Sequence, residues 1–172
     1  MSHKRIEFPM PAPCEVVFDI FHYQIWRSRW DSLVNATHIV GGAPCPYVGA
    51  VNQVATGGML RGLSMQTEFI SYKRPRIAAA RMLGRSFPFT KWAASMKHEA
   101  IDADKSLMIY TYTIETGPAL LRWIMEPVVS RIFERQTRRR FACMRDFLAQ
   151  HRGEVEAWQR SYHGTDEHQL KG

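Results

Sequence analysis

Between Leu33 and Glu115 six segments of strand character follow one another, and each is closed by its own turn. Leu33 to Val40 runs into Gly41-Gly42 and the Pro44/Pro46 loop, and Gly49 to Ala55 into Gly57-Gly58 and Arg61-Gly62. Ser64 to Tyr72 closes at Arg74-Pro75, and Arg76 to Leu83 at Gly84 and the Phe87-Pro88-Phe89 loop. Thr90 to Ile101 and Ser106 to Glu115 flank Asp102-Ala103-Asp104-Lys105. Strands joined by connections this short pair antiparallel, because a parallel pair needs a crossover of roughly a dozen residues or more. The chain is thereby directed toward an antiparallel meander.

Helical periodicity lies on both sides of that run. Residues 3–8 read as a short strand, ended by Pro9, Pro11 and Pro13, which cannot continue a ladder. From Cys14 the apolar positions Val17, Phe18, Phe21 and Ile25 recur at helical intervals, and Trp26 and Trp30 stand four apart. Two small helices over 14–22 and 23–31 follow. After Glu115, Gly117-Pro118 opens the longest helical stretch, in which Pro127 is expected to kink or restart the helix. From Val128 an amphipathic stripe runs to about Gln150, and Gly153 is the expected stop. A domain of residues 1–152 followed by a polar, flexible tail over 153–172 is the expected organisation.

This order of elements carries a resemblance. Four features contribute: the Pro-rich lead into Cys14-Glu15-Val16-Val17-Phe18, the Trp26 to Trp30 segment, the Met65-Gln66-Thr67-Glu68-Phe69 strand and the Arg-rich terminal helix. Over roughly residues 3–150 the chain resembles the helix-grip superfamily of START lipid-transfer domains, Bet v 1-like proteins and polyketide cyclases. The resemblance implies an α+β fold: a curved antiparallel sheet of seven strands wrapped around the long C-terminal helix, with a cavity between them. Its members include carriers, cyclases and aromatases, so fold alone does not assign function.

Composition excludes several classes. No run approaches the ~20 apolar residues of a membrane span, and no apolar stretch of signal-peptide length follows the N-terminus. Cys14, Cys45 and Cys143 form no CxxC pair and no zinc spacing, which suits reduced thiols in the cytoplasm. HExxH, GxSxG, P-loop and GxGxxG patterns are lacking, and the seven histidines have no metal-ligand spacing, so neither a metal nor a cofactor is expected. The net charge of +7 is concentrated on Arg131, Arg135, Arg138, Arg139, Arg140 and Arg145. A solvated helix face is the simplest reading; DNA is not expected, and RNA or an anionic membrane is the lesser functional alternative.

Alternation assigns the faces of the strands. With Lys97 and Glu99 directed to solvent, Trp92, Ala94, Met96 and His98 face inward. Gln66 and Glu68 outside leave Met65, Thr67 and Phe69 inside, and Arg81 outside leaves Ala78, Ala80 and Met82 inside. Met108, Tyr110, Tyr112 and Ile114 form the inner set of the last strand. On the long helix Ile132, Gln136, Arg140, Cys143 and Phe147 share one face, beside Val129, Phe133, Thr137, Phe141 and Met144. The candidate ligand-binding set is Trp30, Met65, Thr67, Phe69, Ala80, Met82, Trp92, Met96, His98, Tyr110, Tyr112, Ile132, Gln136 and Arg140. A mainly apolar lining with a few polar groups suits binding of an apolar or amphipathic small molecule, lipid- or polyketide-like. The alternatives are a cyclase, aromatase or related lyase in the same cavity, with Tyr110, His98 or Arg140 polarising carbonyls, and a protein using its basic helix on RNA or anionic membrane.

Overall fold

The computed structural model describes residues 1–31, 34–56 and 64–169; the Gly57-Gly58 and Arg61-Gly62 turn signals lie outside the described residues. Strand β1 (Ser2–Met10) leads into helices α1 (Cys14–His22) and α2 (Gln24–Trp30). There follow β2 (Val34–Ile39), β3 (Val51–Thr56), β4 (Ser64–Lys73), β5 (Ile77–Leu83), β6 (Phe89–Ala100) and β7 (Ser106–Thr116). A 3-10 turn (Ala119–Leu121) then opens α3 (Arg122–Gln169). The strands form one seven-stranded sheet in the order β1-β7-β6-β5-β4-β3-β2, antiparallel throughout. This is the expected meander, with β1 added beside β7 at the far edge.

Three expectations about chain breaks are corrected. Strand β1 does not end at Pro9 but continues to Met10, with Pro9 opposite Leu107. Because β1 is an edge strand, the missing N–H of Pro9 costs it no necessary ladder bond. Pro127 does not restart the helix as a new element; it is the sixth residue of α3, where its missing N–H removes the bond that would have gone to the Trp123 carbonyl. Nor does α3 stop at Gly153. Beyond it Val155 is fully buried, and Trp158 packs edge-on against Tyr23 at 4.8 Å and Trp26 at 5.6 Å between ring centroids. Gln159 Nε2 donates to Asp19 Oδ2 at 2.6 Å. These contacts outweigh the ~1 kcal/mol that a mid-helix glycine costs, and they make the first turns after Gly153 packed structure, not loose tail.

Asp19 is the anchor of that arrangement. It is wholly buried, and Arg74 donates to both its oxygens, from Nε at 2.7 Å and from Nη2 at 2.8 Å. Replacing Asp19 with Ala strands a half-buried guanidinium and frees the Gln159 amide, so a loss of about 3 kcal/mol in urea unfolding is expected.

The core divides in two. The larger part joins Ile6, Met108, Tyr110, Tyr112 and Ile114 of the sheet to Phe141, Met144, Leu148 and Val155 of α3. The smaller groups Phe18, Ile39, Ala50, Phe69, Ala78 and Ala80. Trp92 packs against both.

Candidate functional site

The register sets the concave face of the sheet residue by residue. Thr67 lies opposite Met82, Phe69 opposite Ala80, and Tyr72 opposite Ala78. A bulge between Phe69 and Ser71 throws Ile70 outward and brings Tyr72 onto the inner face. Ala80 in turn faces Ala94, and Ala78 faces Met96. On β7, Tyr112 faces Ala94 and Tyr110 faces Met96. Ala78, Ala80 and Ala94 are therefore neighbours in the middle of the face. Methyl side chains here keep that part of the sheet thin, while Phe69, Trp92, Met96 and Tyr110 stand around it. Met65, Met82, Trp92 and Ala94 are only half-buried although they belong to the concave face.

Polar atoms interrupt this apolar lining. His98 is 5% exposed, and neither of its ring nitrogens has a hydrogen-bond partner among the described residues. Trp92 Nε1 and Asn52 Oδ1 are buried in the same unpartnered state. Burial pulls the His98 imidazole down to a pKa of about 4. The ring of Phe18 lies 5.6 Å from it, edge-on. His22 is also buried, and its Nδ1 donates to the carbonyl of Phe18 at 2.8 Å. Its pKa falls to about 3: burial is the main cause, aided by the nearby His98 and Arg27 and opposed by the Phe18 hydrogen bond. Both rings are neutral at pH 7.

A charged cluster joins α2 to α3. Arg140 on α3 donates to both oxygens of Asp31, from Nε at 3.0 Å and from Nη2. Arg27 on α2 donates from Nε to Asp31 Oδ2 at 3.3 Å. Burial pushes the Asp31 carboxyl up, but Arg140 and Arg27 outweigh it and hold the group below the usual carboxylate range. Burial, with repulsion from Arg140, brings Arg27 down to about 10 despite Asp31. For Arg140 burial acts the same way, and the bidentate Asp31 overcomes it, leaving the guanidinium pKa raised. Burial pushes the Tyr110 phenol up in spite of both arginines, so its hydroxyl keeps its proton.

The expected residues divide accordingly. Met65, Thr67, Phe69, Ala80, Met82, Trp92, Met96, His98 and Tyr110 share the concave face, and Arg140 on α3 lies beside Tyr110, whereas Gln136 is half-buried on the helical line of Ile132. Tyr112 is deeper, packed against Phe133 at 4.8 Å. Trp30 is a structural tie: its Nε1 donates to the carbonyl of Ile20 at 2.9 Å, fixing α2 to α1. Ile132 departs from the expectation, being 37% exposed. The buried stripe of α3 runs through Ser130, Thr137, Phe141, Met144 and Leu148, which turns Ile132 away from the sheet. Arg27, Asp31, His22 and Asn52 were not among the expected site residues. The i, i+4 spacing of Arg27 and Asp31 was the available signal. Among the described residues no group of three or more His, Cys, Asp or Glu is placed to hold a metal.

No protein-family model matches the chain, and no curated protein matches it. Solved structures do. The ZhuI aromatase/cyclase of a Streptomyces strain superposes with a TM-score of 0.68 at 14% identity, over 93% of this chain and 95% of that one. The protein has the Bet v 1-like helix-grip fold. Ara h 8.0201 matches with a TM-score of 0.65 at 14% identity, over 86% of this chain and 97% of that one. A norcoclaurine synthase variant of Thalictrum flavum, bound to a transition-state analogue, matches with 0.62 at 12% identity, over 88% and 96%. Helix-grip geometry accounts for the placement of α3 against β1 and β7, with α1 and α2 beside it.

Proposed function

We propose that this helix-grip protein binds an apolar or amphipathic small molecule, lipid- or polyketide-like, in a cavity between the concave sheet and α3. The observation that carries the reading is the set of buried, unpartnered polar atoms on His98, Trp92 and Asn52 within an otherwise apolar face. A buried polar group left unpaired costs about 1–3 kcal/mol, so three of them together call for a ligand or ordered water. The small side chains of Ala78, Ala80 and Ala94 are where a guest would find room. Fold neighbours that include an aromatase/cyclase and a norcoclaurine synthase support the same reading by analogy. Native mass spectrometry of the purified protein tests it: a retained small molecule, removable by organic extraction, is expected. A mass equal to that of the bare chain, with no uptake of a lipid or polyketide-like probe, contradicts it. Catalysis in the same space would fall to neutral His98 and protonated Tyr110 as hydrogen-bond partners of a substrate carbonyl.

A second reading concerns the outward face of α3. Leu121, Ile124, Val128 and Ile132 are exposed at helical spacing, and Trp123 beside them is 77% exposed. Arg131, Arg135 and Arg139 flank this stripe without an acidic partner among the described residues, whereas Arg138 pairs with Glu134. Apolar and cationic groups side by side suit an anionic bilayer better than RNA, which gives aliphatic side chains nothing to enter. Vesicles with ~30% anionic lipid are expected to sediment the protein at low salt. Arg131→Glu with Arg135→Glu should abolish this. Equal sedimentation with neutral vesicles would refute the electrostatic part.

A further inference from the structure

We infer that Arg27 recognises a single carboxylate on the bound molecule, which makes the ligand an acidic amphiphile whose head lies at the α2–α3 end of the cavity. The inference rests on the small-molecule reading above and adds its polarity and orientation.

The first argument is a charge count. Two guanidiniums, Arg27 and Arg140, surround one carboxylate, Asp31, and the cluster is withdrawn from solvent. The other titratable groups that act on it are His22, on α1, and Tyr110, on β7. Both are neutral at pH 7, so neither cancels the excess. One positive charge is left over in a place where an uncompensated charge is costly.

The second argument is the division of hydrogen bonds. Arg140 spends Nε and Nη2 on the two Asp31 oxygens. Arg27 spends only Nε, and its Nη1 and Nη2 make no hydrogen bond among the described residues. Its guanidinium lies over the Phe21 ring, 4.9 Å from the centroid, which covers a face and leaves the terminal edge open. The side chain keeps 11% exposure, so it is not wholly enclosed by packed atoms. Two parallel N–H groups on a planar fork match the two oxygens of a carboxylate. A singly charged head would also bring the local charge to zero, and the Tyr110 hydroxyl, fixed in its protonated form, is available as a further donor.

Orientation follows from what surrounds the cluster. Tyr110 lies opposite Met96, and Met96 opposite Ala78. A chain whose carboxylate meets Arg27 beside Tyr110 therefore has its apolar body directed over the alanine centre.

The test compares two probes with the same apolar body and a charged or an uncharged head, a pyrene-labelled dodecanoic acid and its methyl ester, titrated into the wild-type protein at pH 7. The acid is expected to bind about tenfold tighter or more, the scale of a charge-assisted pair. Arg27→Met should bring the ratio of the two affinities close to one, and Arg27→Lys should restore part of it. Equal affinity of acid and ester for the wild-type protein overturns the inference while leaving the cavity in place. A preference that persists in a folded Arg27→Met variant overturns it too. Failure of both probes to bind the wild-type protein removes the small-molecule reading itself, and the inference with it. The wild-type comparison needs no variant, so the inference stays testable even if Arg27→Met does not fold.

Discussion

Asp31→Ala is expected to lower the unfolding free energy by about 3–5 kcal/mol, read as a marked fall in the urea midpoint with little change in slope. The substitution removes the acceptor that Arg140 and Arg27 share and leaves two guanidiniums facing each other away from bulk water. Against a total stability of roughly 5–15 kcal/mol for a domain, such a loss brings the protein close to unfolding. The magnitude comes from stranding charge, not from the worth of the ion pair. Replacing Asp31, Arg27 and Arg140 together with apolar residues of similar size should therefore recover most of the loss. A loss below ~1 kcal/mol for Asp31→Ala would mean that water reaches the cluster as freely as it reaches a surface pair.

Acid should destabilise the protein well before its carboxylates titrate. His22 and His98 have folded pKa values of about 3 and about 4, both depressed by burial below the ordinary value of 6.5. Their neutral forms belong to the folded state, so the unfolded chain binds more protons between each folded value and 6.5. Unfolding free energy then rises with pH in that window, and the contribution is complete above 6.5 and lost as pH falls toward 4 and below. Each histidine contributes a slope of up to ~1.4 kcal/mol per pH unit, so the pair approaches ~3 kcal/mol per unit near pH 5. Asp31, whose pKa is lowered, acts in the same direction but only below about the carboxylate range. Urea melts at pH 7, 6, 5 and 4 measure the slope. His98→Leu should remove part of it without breaking a hydrogen bond, since neither ring nitrogen makes one. A stability flat from pH 7 to pH 5 would contradict the burial of both rings.

The concave face was legible because strand alternation is local. Lys97, Glu99, Gln66 and Arg81 mark the outer side, and their neighbours' placement follows without any knowledge of tertiary contacts. The turns likewise carry their own chemistry: Gly41 and Gly42 adopt φ of 97° and 78°, values that favour glycine at the β2–β3 connection. What stayed hidden depends on residues far apart in the chain. Arg140 meets Asp31 across 109 positions and Gln159 meets Asp19 across 140, so neither the charged cluster nor the continuation of α3 past Gly153 leaves a local trace. Pro9 was misread because only the sheet order makes β1 an edge strand. For Ile132 the difficulty was phase. Two adjacent helical lines, one through Ile132, Gln136 and Arg140 and one through Phe133, Thr137 and Phe141, are similarly mixed, and packing against β1 and β7 selects the second.

The claim on which the functional account depends is that the space above Ala78, Ala80 and Ala94 is empty enough to hold a guest. Ala80→Phe measures this most directly, because the new ring must either fill a hollow or force apart packed side chains. The account predicts a thermal midpoint unchanged or slightly raised, together with loss of pyrene-dodecanoate binding. A destabilisation of about 1–3 kcal/mol, the usual cost of overpacking, would mean that the sheet and α3 already meet in a solid core and that no ligand sits between them.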